Sequence, residues 1–129
     1  MILSFLFVVC FVVGVSAIAR RVNVLGEALQ ECSTDPMTGY TRTGFCDALD
    51  SDRGAHFVCV ELTEEFLAYS ASVGNDLSSP APQYGFPGLN EGDRWCLCAL
   101  RWRQAMVAGV APIVDLDATP GCIKPCPFS

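Results

Sequence analysis

The stretch YGFPGLNEGDRWCLCA, residues 84–99, is the segment around which we expect the fold to be organised. It begins as an aromatic loop punctuated by glycine and proline, and Gly92 is placed to form a tight turn. Residues 95–98 then form a short apolar run with two thiols two positions apart, which is typical of a buried strand. The chain before this stretch supplies one strand and one helix, and the chain after it supplies another helix and strand.

The clearest strand before the stretch is HFVCVEL, residues 56–62, which is rich in aromatic and β-branched side chains. Thr63 follows as a favourable N-cap, and two glutamates then complement the positive end of a helix. Gly74 supplies a residue that readily ends a helix. The pattern predicts a helix over residues 64–73.

The chain after the stretch predicts a helix over residues 99–108 and a third strand over residues 113–116. One face of that helix carries Ala99, Trp102 and Met106. Residues 23–30 form a short strand or an extended arm, and long irregular loops separate the elements. This order favours an α+β fold, a small two-layer domain with helices packed on one face of a short sheet.

The N-terminus predicts export. Residues 1–19 carry no charged side chain, end in the A-x-A pattern that signal peptidase recognises, and precede two arginines. We expect a signal peptide cleaved after Ala19, followed by one domain over residues 20–118 and an irregular Cys/Pro-rich tail over residues 119–129. The expected location is the secretory-pathway lumen or the outside of the cell. The alternative is a membrane anchor, because the apolar run nearly reaches the roughly 20 residues that span a bilayer.

The chain of 129 residues is acidic, with a formal net charge of −6. Such a charge repels phosphate backbones, so we expect no nucleic-acid partner. A membrane partner is expected only if residues 1–19 are retained as an anchor. The sequence identifies neither a protein partner nor a small-molecule ligand, and we find no Walker loop, G-x-S-x-G or H-E-x-x-H motif in it.

Several longer stretches carry a family resemblance. They are NVLG (23–26), CSTDPMTG (32–39), GNDL (74–77), YGFPGL (84–89), GDRWCLCA (92–99), RW (101–102) and AGVAP (108–112). Together they resemble the domain of unknown function 2237 family, a group of small, mostly bacterial proteins, over about residues 23–118. The resemblance implies a compact α+β domain, and it brings no established activity or catalytic residue. Relatives typically lack the apolar leader, often have a Cys-Cys pair at Phe45-Cys46, and continue as a helix where this chain has its Cys/Pro-rich tail.

Cysteine is the strongest chemical feature of the sequence. The eight cysteines are residues 10, 32, 46, 59, 96, 98, 122 and 126. Loss of Cys10 with the leader leaves an odd number, so at least one thiol is free, metal-bound or intermolecular. In a small secreted domain disulfides are the default, and each stabilises by roughly 2–4 kcal/mol. Cys122 and Cys126 flank a turn and can bridge independently.

Other roles for the central thiols stay open. Leaderless relatives in a reducing cytosol imply that Cys59, Cys96 and Cys98 serve something other than disulfide bonding. Cys96 and Cys98 project from the same face of a strand, where bonding to each other would require strained geometry. They can instead face separate partners or one zinc ion, with the remaining ligands from Cys59 and from His56 or Cys46. Plain buried thiols are the third interpretation.

His56 is the only histidine. Acyl transfer would need it beside a thiolate, with a third group orienting the ring, and because nothing in the sequence marks an oxyanion hole we favour a structural histidine at a strand start. Asp93 and Arg94 are candidate binding residues that can equally form a loop salt bridge. Trp95 and Tyr84 are candidates to line a pocket, although such aromatics more often form core.

We therefore predict a small cysteine-rich domain that acts as a non-catalytic binding or structural module. The alternative is a thiol- or zinc-dependent protein that uses the Cys96/Cys98 pair with Cys59 and His56. Zinc is the only cofactor that these side chains suggest.

Overall fold

The computed structural model describes residues 21–121. The predicted leader, residues 1–19, and the predicted Cys122–Cys126 bridge lie outside the described residues. Within them the fold is α+β, as predicted. The elements in chain order are β1 (His56–Glu61), α1 (Glu64–Ser72), a 3-10 turn (Pro82–Tyr84), β2 (Arg94–Cys98), α2 (Ala99–Val107) and β3 (Ile113–Val114).

The strands of the described chain form one antiparallel sheet in the order β2-β1-β3. Because side chains alternate along a strand, the sheet has two chemically different faces. Val60 lies opposite Trp95, and both contribute to an apolar core. Cys59 lies opposite Cys96, and both belong to a separate buried cluster. The register shifts between His56 and Val58, which marks a β-bulge.

The apolar core lies between the sheet and the two helices. Its buried members are Val60, Leu62, Phe66, Leu67, Leu89, Trp95, Leu97 and Ala105. The second cluster, which we call the sulfur core, lies on the other face of the sheet and consists of Cys32, Cys46, Cys59, Cys96 and Ala118. The helices therefore pack against the face that carries Val60 and Trp95.

α1 has the ends that its sequence predicts. The backbone N–H of Phe66 donates to Thr63 Oγ1 at 3.1 Å, which confirms the N-cap. Gly74 has φ +88°, and the N–H groups of Asn75 and Gly74 donate to the carbonyls of Ser70 and Ala71 at 2.8 and 3.1 Å. This Schellman arrangement satisfies the last carbonyls of the helix, so α1 ends one residue before the predicted boundary.

α2 also lies within one residue of its predicted range, but the predicted face is wrong in part. Ala99 and Ala105 are buried, and Trp102 is half-buried with its Nε1–H donating to the Pro112 carbonyl at 3.0 Å. Met106, predicted on that face, is half exposed instead. Trp102 and Ala105 follow Ala99 by three and six residues, which keeps them on the same side of the helix, facing the core. Met106 comes one residue later, so it is rotated by about 100° away from Ala105 around the helix axis.

Residues 23–30 form a loop held by hydrogen bonds rather than a strand. Asn23 is buried, and its Oδ1 accepts the N–H groups of Leu25 and Glu27 at 3.0 Å each. The Val24 N–H donates to the Thr119 carbonyl at 2.9 Å, so the loop is bonded to the far end of the described chain. Thr119 is itself buried, although the sequence placed it in the tail.

Two disulfides join the long N-terminal loop to the central strands. Cys32 bonds to Cys59, and Cys46 bonds to Cys96. The role other than disulfide bonding that the resemblance implied for Cys59 and Cys96 is therefore wrong for this chain. Cys98 is not bonded to Cys96, as expected for neighbours on one strand. Two disulfides are typical of a protein in an oxidising compartment.

The backbone beside these cysteines is held by two threonine hydroxyls. The N–H of Cys96 donates to Thr38 Oγ1 at 2.9 Å, and the N–H of Cys59 donates to Thr119 Oγ1 at 3.1 Å. Both N–H groups therefore point away from the β1–β2 ladder, which makes Cys59 and Cys96 a non-hydrogen-bonded pair. Thr38 is fully buried, so the loop that carries Cys32 and Cys46 closes over β2.

Helices long and apolar enough to cross a bilayer are absent from residues 21–121.

Candidate functional site

A cleft of about 430 Å³ opens beside β2, between the N-terminal loop and the loop that precedes β2. Aromatic and apolar side chains form most of its lining, and its ionisable side chains are Tyr40, Arg42, His56, Tyr84 and Cys98. Within residues 21–121 no carboxylate lines it, although the chain as a whole is acidic. The remaining lining residues are Gly39, Asn75, Leu77, Ala81, Phe86, Trp95, Cys96 and Leu97.

One wall of the cleft is an aromatic pair with a cation. Phe86 meets Trp95 edge to face, with 5.6 Å between the ring centroids. The guanidinium of Arg42 lies over the Trp95 ring at 5.0 Å and donates to the Gly39 carbonyl at 2.6 Å. Arg42 has φ +56°, a left-handed conformation that is costly for a residue with a Cβ. The surrounding structure therefore holds this cation in place at an energetic cost.

His56 is held from three sides. Its Nδ1 lies 2.7 Å from Asp52 Oδ1, and since a carboxylate can only accept, Nδ1 carries the proton. Asp52 Oδ2 accepts the His56 backbone N–H at 2.7 Å. The ring stacks on Tyr40 with 6.1 Å between centroids, and a Cβ on Gly54 would lie only 2.2 Å from the ring carbon Cε1. The protonated Nδ1 of the imidazole thus donates to Asp52, which leaves the lone pair of Nε2 to accept a hydrogen bond.

Cys98 is the free cysteine of the described chain. It is half-buried, lines the cleft and is the N-cap residue of α2, where its side chain makes no capping hydrogen bond. In the β1–β2 register its partner is His56. The bulge in β1 therefore brings the only histidine opposite the only free thiol in residues 21–121.

The predicted metal site has a different composition in the structure. In the described residues, the group of three or more potential ligands that lie within 4.8 Å of one another is Cys32, Cys46 and Cys96. Cys98 and His56 are not part of it. All three sulfurs are oxidised in disulfides, so these residues can hold a metal such as zinc only after reduction.

The four predicted binding residues separate into two pairs. Trp95 and Tyr84 line the cleft, and Tyr84 is 81% exposed at its rim. Asp93 and Arg94 do not line it. Arg94 pairs with Asp115, and Asp93 accepts the Asn90 N–H at 2.8 Å, so both serve local structure.

Sequence reasoning missed Asp52, Tyr40 and Arg42. Asp52 is buried and precedes His56 by four residues within a turn, a spacing that normally points to a helix surface. Arg42 and Tyr40 lie in a loop where glycine and threonine suggested only turns. The one usable signal was the isolated His56 itself, because a histidine with an Asp close in sequence can be oriented by it.

The comparison of sequences identifies a family but no function. Residues 22–123 match DUF2237, described as an uncharacterized protein conserved in bacteria. The chain belongs to the DUF2237 family. No curated protein matches it. No activity is assigned to DUF2237.

Proposed function

We propose that this DUF2237 protein is a ligand-binding domain, stabilised by its two disulfides, whose cleft takes a small anionic molecule with a planar apolar body. The observation that carries the proposal is the composition of the lining. It combines aromatic side chains with Arg42, and it includes no Asp or Glu of the described residues in a chain of net charge −6. An anion is attracted by the guanidinium and meets no like charge inside the cleft.

The apolar part of the ligand has defined surfaces to contact. The half-buried ring of Phe86 and the exposed ring of Tyr84 offer surfaces for stacking, while Trp95, buried beside Phe86, supports the Arg42 guanidinium. Arg42, already placed over Trp95, offers a planar fork that suits a carboxylate or a phosphate. The two left-handed residues that are not glycine, Arg42 and Ala55, both lie at the cleft or next to His56, and such strain concentrates at binding sites.

The experiment is a calorimetric titration with phenylacetate, set against its neutral analogue phenylacetamide. We expect phenylacetate to bind at least about tenfold more tightly, because a hydrogen bond to a charged group is worth about 1.5–3 kcal/mol. Arg42→Gln should abolish that preference. Arg103→Gln is the matched control, since Arg103 is exposed on α2 and does not line the cleft.

Equal affinity for the acid and the amide would contradict the proposal. So would an equal loss of phenylacetate affinity in Arg42→Gln and Arg103→Gln, because that result would reflect net charge rather than the cleft.

Export is a second part of the proposed function. The uncharged residues 1–19 with their A-x-A ending, together with two disulfides in the domain, support secretion. Expression of the full chain in a secreting host should yield a product that begins at Arg20, as read by N-terminal sequencing. A cell-associated product that retains residues 1–19 would support the anchor instead.

A further inference from the structure

A thiol and an imidazole line the cleft, and a buried carboxylate outside the lining bonds to the imidazole. Asp52 bonds to His56 Nδ1, and His56 stands opposite Cys98 across one rung of the β1–β2 ladder. Directly opposed residues of a regular antiparallel pair have Cβ atoms about 4.5–5.5 Å apart, and the bulge at Phe57 modifies that spacing here. His56 and Cys98 both line the cleft, so their side chains open into the same space. Asp52, His56 and Cys98 come from a turn, the start of β1 and the end of β2.

The buried carboxylate is suited to orient the ring. The Asp52 side chain is 1% exposed, and it accepts from the Gly54 N–H at 3.2 Å as well as from the backbone and ring of His56. With Nδ1–H committed to Asp52, the unprotonated nitrogen is Nε2. Within residues 21–121 Nε2 makes no hydrogen bond, so its lone pair is free to accept a proton.

Cys98 is the one cysteine of the described chain whose sulfur is not in a disulfide. The four cysteines of the sulfur core are locked in disulfides, whereas Cys98 is free and lines the cleft. Its sulfur makes no hydrogen bond to His56, and catalytic hydrogen bonds of this kind often tighten only when substrate binds. Cys98 is the N-cap of α2, and the N–H of Ala99, the first residue of that helix, donates to the Ala55 carbonyl at 3.0 Å. The next two N–H groups, those of Leu100 and Arg101, lack helical acceptors.

We propose that Cys98 is a nucleophile for acyl transfer, with His56 as its proton acceptor and Asp52 as a positioning residue. The substrate class is a thioester or activated ester. That this substrate also carries an anionic group rests on the binding function proposed above, but the thiol chemistry does not.

The reaction has two balanced steps. The Cys98 thiol proton passes to His56 Nε2, the sulfur attacks the carbonyl carbon, a C–S bond forms, and the bond to the leaving group breaks as Nε2–H returns its proton to that group. Water then gives a proton to Nε2 while its oxygen attacks the acyl carbon. The C–S bond breaks, the carboxylic acid leaves, and the proton returns to Cys98. The N–H groups of Leu100 and Arg101 are the donors at the start of α2 that we assign to stabilising the oxyanion of each tetrahedral intermediate, since the Ala99 N–H is bonded to the Ala55 carbonyl.

The test uses the full chain with the other unbridged cysteines replaced, Cys10→Ser/Cys122→Ser/Cys126→Ser, so that Cys98 is the one cysteine outside the two disulfides whether or not the leader is cleaved. The probe is 4-nitrophenyl acetate, which releases coloured nitrophenolate and leaves an acetyl group that peptide mass spectrometry can locate. We expect acetylation at Cys98, a fall of about 100-fold in its rate in His56→Gln, and no adduct in Cys98→Ser. Arg103→Gln should react like the parent. Because this probe carries no charge, its outcome is separate from the phenylacetate titration.

The positioning role of Asp52 is tested by the tautomer of His56, a property that a purely structural role for Asp52 would leave unchanged. In ¹⁵N NMR the imidazole of the parent should carry its proton on Nδ1, and in Asp52→Asn the proton should move to Nε2, with acetylation slowed by at least about tenfold. If Asp52→Asn does not fold, Gly54→Ala serves instead, because its Cβ would displace the ring at Cε1. Equal acetylation rates in the parent and His56→Gln, or acetylation no faster than for the same chain in urea, would overturn the proposal.

Discussion

The two faces of the sheet are held together by different physics. On one face α1 and α2 pack through apolar side chains, such as Phe66 and Leu67 of α1 and Ala105 of α2. On the other face the N-terminal loop, residues 21–55, contains neither helix nor strand and buries few apolar side chains, namely Leu29, Cys32 and Cys46. Covalent bonds there replace the apolar area that the loop lacks.

The two faces therefore owe their stability to different sources, apolar packing on the helical face and covalent bonds on the face of the N-terminal loop. Each helix of the helical face forms from neighbours in sequence, and the apolar core then packs without covalent links, whereas disulfides join residues of the sulfur core that lie 27 and 50 positions apart. Closing such long loops costs entropy in an unbridged chain, and disulfides reduce that cost by constraining the unfolded state. The cleft lies where the two regions meet, so both determine its shape.

The largest expected effect is the loss of stability when the two disulfides are reduced, because reduction changes the sulfur core and leaves the apolar core chemically intact. For loops of 50 and 27 residues the chain-entropy relation gives about 4 and about 3.5 kcal/mol per disulfide. Their sum is comparable to the whole stability of a small domain, roughly 5–15 kcal/mol. Reduction should therefore lower the urea midpoint sharply, as followed by circular dichroism. An unchanged midpoint in protein shown by mass to be fully reduced would refute this, and stoichiometric zinc in that protein would favour the zinc-dependent alternative.

The next effect concerns the apolar face alone. Phe66 is 1% exposed, so Phe66→Ala should lower the free energy of unfolding by about 3–5 kcal/mol through the lost transfer energy and the cavity. Met106→Ala is the control on α2, since Met106 is 50% exposed and should change stability by no more than about 0.5 kcal/mol. Urea unfolding of both variants checks this. Similar losses would mean that α2 packs through the face originally predicted from sequence.

A smaller effect tests the start of α1. Thr63→Ala removes the acceptor of the Phe66 N–H and should cost about 0.5–2 kcal/mol in thermal or urea unfolding. Thr41→Ala changes an exposed loop threonine and serves as the matched control. An equal stability for both variants would show that the cap contributes nothing.

The smallest effect concerns a loop next to the cleft. Hydrogen bonds from the Ser79 side chain, and then from the backbone of Ser79 and Ser78, hold the pKa of Asp76 below its ordinary value. A depressed folded-state pKa stabilises the folded protein above the ordinary pKa, and this contribution is lost as pH falls through the folded-state value. Ser79→Ala should raise the pKa of Asp76 in an NMR titration. A pKa that stays in place would mean that the side-chain bond is not the main cause.

The helical face was predictable because its signals are local. Thr63 and Gly74 fixed the ends of α1 within one residue, and β-branched and aromatic residues marked β1. The disulfide pairing was not predictable, because several connectivities fit the same cysteines and only the fold brings Cys46 to Cys96. The grouping of Asp52, His56 and Cys98 was not predictable for a similar reason. Nothing in the sequence marks the bulge that places His56 opposite Cys98, or the turn that places Asp52 under the ring.

The hydroxyl of Thr38 has a consequence for how this molecule meets its neighbours. β2 is an edge strand, and an edge strand with unpaired N–H groups invites sheet extension by another chain. At Cys96 that group is already occupied by a buried threonine, so an incoming strand would first have to expel Thr38 and the loop behind it. The same contact that closes the loop over the sheet thus protects that edge against intermolecular β-pairing.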